Sequence, residues 1–287
     1  MAEGRTRRLL RWLDNGKDLA LHEGMRRLPT PWVSDLGAGL ARLGAYGRHR
    51  SKIGRAVAAL DHLRPDLDAA GRHDLALRNF LQIGRTMAEF SCMDRFWEEG
   101  RVEIVGRENL PGNNVILALL HLGNWEALNA AVTGMGLWGC SIYQPPSSAA
   151  QHAIAVRARR RVRNDAIPAS TMAPRQALRV LGEGGLVGIF VDEYLHGRVN
   201  APAFGRPPAP GGNIALVPRL ARKAGVPVVP GFALRRPGPR FEAHFLPPVP
   251  MSGDAARDQA ALEAVIEPVI RANLEQWFML YPFRPDC

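Results

Sequence analysis

The chain has 287 residues, of which 46% are apolar and 22% charged, and its formal net charge at pH 7 is +10. This length allows a substantial core, in one large domain or two small ones. No stretch of about 18 apolar residues is free of charges and turn signals, so we expect neither a membrane-spanning helix nor, given the charged N-terminus, a secretory signal. Cys92, Cys140 and Cys287 are odd in number and far apart, which argues against a disulfide framework and a metal site.

The first hundred residues are predicted to be helical throughout. Over residues 5–25, leucines and Trp12 form an apolar stripe surrounded by arginines. Such a stripe is typical of a helix that lies in a membrane interface, and equally of a surface helix packed on a core. Further helices are predicted over residues 32–46, 50–63 and 68–98.

The pattern changes at Val102, where short apolar runs begin to alternate with helical ones. The predicted strands cover residues 102–105, 115–120, 138–143, 186–191, 227–232 and 241–246, and the predicted helices cover 125–136, 148–163, 174–182, 213–224 and 255–281. Alternation of this kind predicts an α/β sheet with helices on its faces, capped by the helical first hundred residues.

The end of the second predicted strand carries the most informative pair, His121 and Glu126. Positions five apart on one helix lie roughly 140° apart, so the two side chains meet only if His121 lies outside the helix. Gly123 permits the turn that this needs, and Asn124 is a suitable N-cap for the helix that follows. A base with an orienting carboxylate is one interpretation, and a structural histidine beside a first-turn carboxylate is the other.

Two other loops carry residues suited to chemistry. Asp192 follows an apolar strand at the same predicted sheet edge as His121, where it either lines the same cleft or caps a loop. Phe204, Gly205 and Arg206 offer an aromatic wall, a turn and a cation, and residues 211–213 open a helix whose N–H groups suit an anion. A plain connection is the alternative for both of these segments.

The positive charge is concentrated in two places. Residues 1–60 carry 12 Arg or Lys against 5 Asp or Glu, and Arg157–Arg163 has five arginines in seven positions. Such a balance indicates an anionic partner: a membrane surface, an acidic protein or nucleic acid. No helix-turn-helix, zinc-finger or RNP-type pattern supports nucleic acid, so we expect no nucleic-acid partner.

Several chemistries are excluded by missing motifs. The chain has no Gly-x-Ser-x-Gly elbow, no phosphate-binding loop, no Gly-x-Gly-x-x-Gly and no His or Cys pair with metal-ligand spacing. A histidine base with a carboxylate partner and no nucleophilic side chain remains. That set suits direct transfer, in which the base deprotonates a hydroxyl that attacks an activated carbonyl, with no cofactor and no metal.

Motifs along nearly the whole chain resemble the lipid A biosynthesis acyltransferase family, the late acyltransferases of Gram-negative glycolipid synthesis within the lysophospholipid acyltransferase-like superfamily. His121–Glu126 is similar to the family's His-x4-Glu block. The other segments that resemble family motifs in order are Val102–Glu108, Tyr143–Pro145, Arg159–Arg163, Gly188–Glu193, Pro202–Gly205, Arg222–Pro230 and Glu275–Arg284.

This resemblance implies a fold, an activity and a set of site residues. The fold would be one glycerol-3-phosphate acyltransferase-like domain over 1–287, with a helical region at 1–100 and, at 101–287, a core around a mixed, largely parallel sheet. The activity would be transfer of a fatty acyl group from a thioester to a lipid hydroxyl, with His121 as base and Glu126 as its orienting partner. The residues expected at the substrate are Asn124, Tyr143, Arg159, Arg161, Arg163, Asp192, Phe204, Arg206 and Arg284.

The resemblance also implies partners and a location. Acyl carrier protein is the expected donor, with coenzyme A as the alternative, and an anionic membrane glycolipid is the expected acceptor. The protein would bind peripherally or monotopically to the cytoplasmic face of the bacterial inner membrane. The chain departs from the family at Gln144, Glu193 and Ala203, where Arg, Gln and Phe are usual, and the family's common N-terminal anchor is not evident. A phosphatidylinositol mannoside or an aminolipid is therefore an alternative acceptor, and a non-catalytic protein that binds anionic lipid is the alternative function.

Overall fold

The computed structural model of the protein describes residues 16–146, 148–161 and 165–285. The N-terminal region is helical, as predicted, with α1 over residues 16–26, α2 at Thr30–Ala45, α3 at Arg50–Leu63 and α4 at Ala69–Glu89. Residues 5–15 of the predicted first helix lie outside the described residues.

The predicted helix over 68–98 is too long. Helix α4 ends at Glu89, where the Ser91 hydroxyl donates a hydrogen bond to the Ala88 carbonyl. The chain then turns through a short 3-10 helix, Met93–Arg95, and buries Phe96 in the core. Burial of this segment ends the helix earlier than its propensity alone would.

Helices α2 and α4 pack with almost no space between their backbones. A Cβ atom added at Gly84 would lie 2.6 Å from the Gly37 carbonyl oxygen, and one added at Gly37 would lie 2.5 Å from the Gly84 carbonyl oxygen. Only glycine allows so close an approach. This contact fixes α2 against α4.

The second half of the chain forms a seven-stranded sheet and a separate small ribbon. The strands of the sheet are β1 Val102–Val105, β2 Ile116–Leu119, β3 Gly139–Tyr143, β4 Asp165–Pro168, β5 Leu186–Phe190, β8 Val228–Arg236 and β9 Arg240–Phe245, and those of the ribbon are β6 Tyr194–Leu195 and β7 Arg198–Val199. The order in the sheet is β1-β9-β8-β2-β5-β3-β4. The pairs are parallel except for β8 and β9, which are antiparallel, so the sheet is mixed and largely parallel as expected.

Helices cover both faces of the sheet. They are α5 Glu126–Gly134, α6 Ala149–Arg161, α7 Ala173–Gly182, α8 Asn213–Ala224 and α9 Ala255–Ala272. The predicted helix over 255–281 is too long. Helix α9 ends at Ala272, where the Asn273 side chain donates to the Val269 carbonyl. A 3-10 turn, Leu274–Gln276, then directs the tail back to the sheet. The predictions did not include β4, which is short and ends in proline.

Strand β2 lies in the middle of the core. Ile116, Ala118 and Leu120 pack into one apolar cluster with α7, α8 and α9, whereas Leu117 and Leu119 pack into a second cluster with α5. Both faces are buried, which explains why this strand is a continuous apolar run rather than an alternating one. Over the residues that the structure describes, no helix combines the length and the apolar character needed to span a bilayer.

Candidate active site

Strand pairing brings His121 and Asp192 to the same place. In the parallel pair β2/β5, Leu119 is the partner of Phe190, so the residues two positions further on leave the sheet side by side. Carboxyl ends of neighbouring parallel strands are the usual location of α/β sites. The predicted position of both residues at one sheet edge is therefore the observed one.

The Asp192 carboxylate binds His121 through both oxygens. Its Oδ1 accepts from the ring Nδ1 at 2.8 Å, and its Oδ2 accepts from the His121 backbone N–H at 2.9 Å. The indole Nε1–H of Trp277 donates to the same Oδ2 at 3.0 Å. Because an ionised carboxylate only accepts hydrogen bonds, Nδ1 carries the ring proton and Nε2 is the basic nitrogen of the neutral imidazole.

Aromatic rings hold the imidazole in place. Phe190 stacks on it at 4.0 Å between ring centroids, and Trp125 meets it edge-on at 5.1 Å. Asp192 is fully buried, but the His121 side chain remains 18% exposed. The ring Nε2 has no hydrogen-bond partner among the described residues. The arrangement leaves one basic nitrogen accessible beside apolar surface.

Glu126 is not the carboxylate bonded to the His121 ring, and this corrects the expected contact. Its buried carboxylate binds the Arg159 guanidinium at 2.8 Å and accepts from the Asn129 amide. The reason is geometric: Glu126 begins α5 and faces α6, whereas the strand register gives the Nδ1 position to Asp192. A catalytic or substrate-binding role for Glu126 stays a prediction.

Asn124 lies in the turn between His121 and α5. Its side-chain oxygen accepts from the Glu126 N–H at 3.1 Å, although the N-cap position proper is Trp125, one residue later than predicted. Its amide donates to Glu89 at 2.7 Å. Gly123 has a φ of +54°, as the predicted turn requires, and a Cβ there would lie 2.6 Å from the Ala233 carbonyl oxygen.

A buried ion pair supports this turn from behind. Glu89, at the end of α4, receives two hydrogen bonds of 2.6 Å from the Arg235 guanidinium. The Thr86 hydroxyl donates to the Gly123 carbonyl oxygen at 2.9 Å. Both members of the pair lie in the core, so they support the turn between His121 and Glu126 without facing solvent.

Tyr143 and Arg159 lie together beside Glu126. The Arg159 guanidinium lies over the Tyr143 ring, 5.1 Å from its centroid, and the Tyr143 hydroxyl is 3.3 Å from Nδ1 of His152. Arg161, two positions further along α6, is exposed. Arg163 lies outside the described residues. The basic segment thus has one inward-facing arginine and at least one that faces solvent.

The contacts within the chain that hold loops in place include those of Phe204, Arg206 and Arg284. Phe204 is buried against Trp277, with ring centroids 5.5 Å apart. Arg206 donates to the carbonyl groups of Val199, Pro202, Ala203 and Arg284, and Arg284 donates to those of Tyr281 and Phe283. These contacts fasten the 199–206 loop to the C-terminal tail, and a role in substrate binding stays a prediction.

The helix N-terminus expected to suit an anion already holds a carboxylate of the chain. The Asn213 N–H at the start of α8 donates to Oε1 of Glu193. Burial raises the pKa of the Glu193 carboxyl above its usual value, and the hydrogen bonds from Asn213 and Asn200 oppose that shift. The N–H group of Asn213 therefore binds Glu193 rather than an external anion.

A cavity of about 20 Å³ lies between α5 and the sheet. Its walls include Leu117, Leu119, Leu128, Val132 and Gly188, and Asn129, which donates to Glu126, forms part of the same lining. This volume holds about one water molecule, so the cavity is a packing gap and not a substrate channel.

Sequence reasoning missed several residues of this site. Trp277 was part of the tail motif but was not singled out, although a buried indole N–H needs an acceptor and Asp192 is an obvious one. Phe190 could have been found as the last residue of a strand beside Asp192. Glu89 and Arg235 carry no local signal, because only the tertiary structure brings them together.

Comparison with known proteins adds the class of the chain. The family model for bacterial lipid A biosynthesis acyltransferases matches residues 5–283, nearly the whole chain. The search of curated proteins found no match to this chain. The match covers the strand-end histidine, the buried aspartate and the tail that bonds to them, and the chain belongs to the family of bacterial lipid A biosynthesis acyltransferases.

Proposed function

We propose that the protein transfers a fatty acyl group from an acyl thioester of acyl carrier protein to a hydroxyl group of a lipid A precursor. The observation that carries this proposal is the accessible Nε2 of His121, in a ring whose Nδ1 is held by the buried Asp192. Such an imidazole is arranged to accept a proton from a hydroxyl and to be stabilised once it is charged.

The proposed reaction proceeds by direct attack. Nε2 takes the proton of the acceptor hydroxyl, and the oxygen attacks the thioester carbonyl carbon. The C–S bond then breaks, and the leaving thiolate receives the proton from the imidazolium. The products are an ester and a free thiol, and the charge on the ring is opposed by the Asp192 carboxylate throughout. A positioned base of this kind contributes about 10²–10⁴ in rate.

The developing oxyanion needs hydrogen-bond donors. The Gly123 N–H is already used, because it donates to the Gln276 carbonyl at 3.0 Å. The N–H groups of Asn124 and Trp125 precede the first turn of α5 and have no acceptor among the described residues. We assign the oxyanion to these two groups, which lie at the positive end of the helix dipole.

The charges of the chain agree with the proposed substrates. The net charge of +10 favours an acidic donor protein and an anionic lipid surface. Arg159, Arg161 and Arg163 would bind anionic groups of the acceptor, since guanidinium groups bind phosphate through two parallel hydrogen bonds. We propose that the enzyme binds peripherally to the cytoplasmic face of the inner membrane.

The decisive experiment is an acyl transfer assay with purified protein, acyl carrier protein thioester and lipid A precursor in detergent. We expect His121→Ala to abolish both product formation and thiol release. His244→Ala is the matched control, because that histidine is also 18% exposed and bonded to a carboxylate, Glu242, but lies on β9. Full activity of His121→Ala, or equal losses in both variants, would overturn the proposal.

The acceptor is tested separately. In cells that lack the protein we expect one lipid A species to accumulate with an acyl chain missing. An under-acylated phosphatidylinositol mannoside or aminolipid would replace the proposed acceptor, and anionic-lipid binding without any thiol release would replace catalysis altogether.

A further inference from the structure

Helix α2 exposes large apolar side chains on the face opposite its packing surface. The exposed fractions in this stripe run from 40% at Leu36 to 76% at Leu43. The stripe consists of Trp32, Leu36, Leu40, Leu43 and the C-cap residue Tyr46. At about 3.6 residues per turn, these positions span roughly a third of the circumference of the helix.

The other face of α2 is buried against the rest of the protein. Val33, Gly37 and Ala38 are buried, and Gly37 meets Gly84 backbone to backbone. Rotation of the helix to bury the stripe would break that contact. The stripe is therefore an outward-facing surface of the folded protein, and Met87 on the neighbouring α4 adds another exposed apolar side chain.

The surroundings of the stripe are cationic. Arg27, Arg42, Arg48 and Arg50 are exposed and form no ion pair with any residue in the described part of the chain. Asp35 is the only acidic residue of α2, and it is paired with Arg85 at 2.7 Å. An apolar stripe with unpaired arginines around it complements a surface that is apolar inside and anionic outside.

We propose that the α2 stripe lies in the interface of an anionic bilayer, with the helix axis parallel to the membrane plane. Trp32 and Tyr46 lie at the two ends of the stripe, and amphipathic aromatic rings favour the headgroup level. The arginines then contact lipid phosphates, each contributing about 1 kcal/mol near an anionic surface. A second copy of the chain fits less well, because joining two stripes would bring like charges together.

This inference deepens the proposed function, because a peripheral enzyme that acylates a lipid has to hold its site at the membrane. A chain of contacts connects the helix that carries the stripe with the site. Helix α2 packs on α4, the C-cap residue Phe90 of α4 contacts Trp125, and Trp125 contacts His121. The two proposals fail separately, since vesicle binding needs no catalysis and the detergent assay needs no bilayer.

The test is co-sedimentation of the full chain with vesicles of phosphatidylethanolamine and phosphatidylglycerol. We expect the Leu36→Gln/Leu43→Gln variant to partition at least about tenfold more weakly, since two apolar side chains lose their burial. Met172→Gln, at a similarly exposed apolar residue on the N-cap of α7, should bind like the parent protein. Circular dichroism confirms that each variant is folded.

The charge is tested in the same way. Arg42→Gln/Arg48→Gln should weaken binding to these vesicles and leave weak binding to phosphatidylcholine vesicles unchanged, whereas Arg240→Gln on β9 should bind normally. Unaltered partitioning of the Leu36/Leu43 variant would overturn the proposal. Loss of a dimer in size-exclusion chromatography, without loss of vesicle binding, would overturn it in favour of a second copy as the partner.

Discussion

Asp192 holds His121 at two points, the ring Nδ1 and the backbone N–H, with one carboxylate oxygen for each. The double contact fixes the ring relative to its own backbone, so a single buried side chain sets both the tautomer and the direction of Nε2. The stacked ring of Phe190 restricts the remaining rotation.

Asp192→Asn should therefore lower kcat by about 10²–10⁴, with little change in KM. The introduced amide donates to Nδ1 and forces the ring proton onto Nε2, which removes the base. Steady-state kinetics of acyl transfer measure both constants. Trp277→Phe, which removes one hydrogen-bond donor to Asp192 and keeps an aromatic ring, should lower kcat about tenfold. Parental kcat in Asp192→Asn would contradict the role given to this carboxylate.

Glu126 should show a stability effect separable from any effect on activity. Glu126→Gln leaves the mostly buried Arg159 cation without its partner, which should lower the free energy of unfolding by about 1–3 kcal/mol. Urea unfolding measures that loss, and the double variant Glu126→Gln/Arg159→Met should recover part of it.

The activity of the same double variant decides the role of Glu126. Low activity despite restored stability indicates a direct role at the substrate, as the family motif implies. Recovery of activity together with stability would show that the carboxylate acts only through Arg159 and the fold.

The helix crossing of α2 and α4 should tolerate no methyl group. Gly84→Ala would force the two backbones apart and destabilise the protein by about 1–3 kcal/mol in urea unfolding. Gly39→Ala is the matched control on α2, since a Cβ there meets nothing within 4 Å. It should be neutral or stabilising by up to about 1 kcal/mol. Equal effects of the two substitutions would contradict the close packing.

Glu193 makes stability depend on pH. Because burial raises its carboxyl pKa above the ordinary 4.5, the fold favours the protonated form. The stability contributed is fully present below the ordinary pKa and is lost as pH rises through the raised value. Glu193→Gln should accordingly raise the thermal midpoint at neutral pH, and the gain should vanish in acid.

Glu98→Gln, at an exposed carboxylate, is the control for that experiment. It should change the free energy of unfolding by less than about 0.5 kcal/mol at every pH. A pH-independent effect of Glu193→Gln would indicate changed packing rather than titration.

The sequence predicted the parts of the fold that depend on local pattern. The apolar run before His121, the positive φ of Gly123 and the alternation of strands and helices were readable because neighbouring residues determine them. The strand β4 was missed because four residues that end in proline carry too weak a pattern. The tail was predicted as helix because its apolar spacing continues past Ala272, although Trp277 turns away to reach Asp192.

In the site, too, local sequence pattern predicted some features and tertiary structure determined the others. His121 and Asp192 were expected at one edge, but their hydrogen bond depends on the register of two parallel strands, which no local pattern specifies. Glu126 was the predicted partner because it is close in sequence. The competing partner, Arg159, is 33 positions away and became evident only from the packing of α6 on α5.

The tail also determines when the site can exist. Gln276 and Phe278 hydrogen-bond to the backbone of Gly123 and His121, and Trp277 donates to Asp192. A nascent chain on the ribosome can present the histidine long before these residues emerge from the exit tunnel. Catalytic competence therefore arrives only after residues 276–278 have been translated, so a product truncated before them carries the motif but lacks the means to hold its base ready.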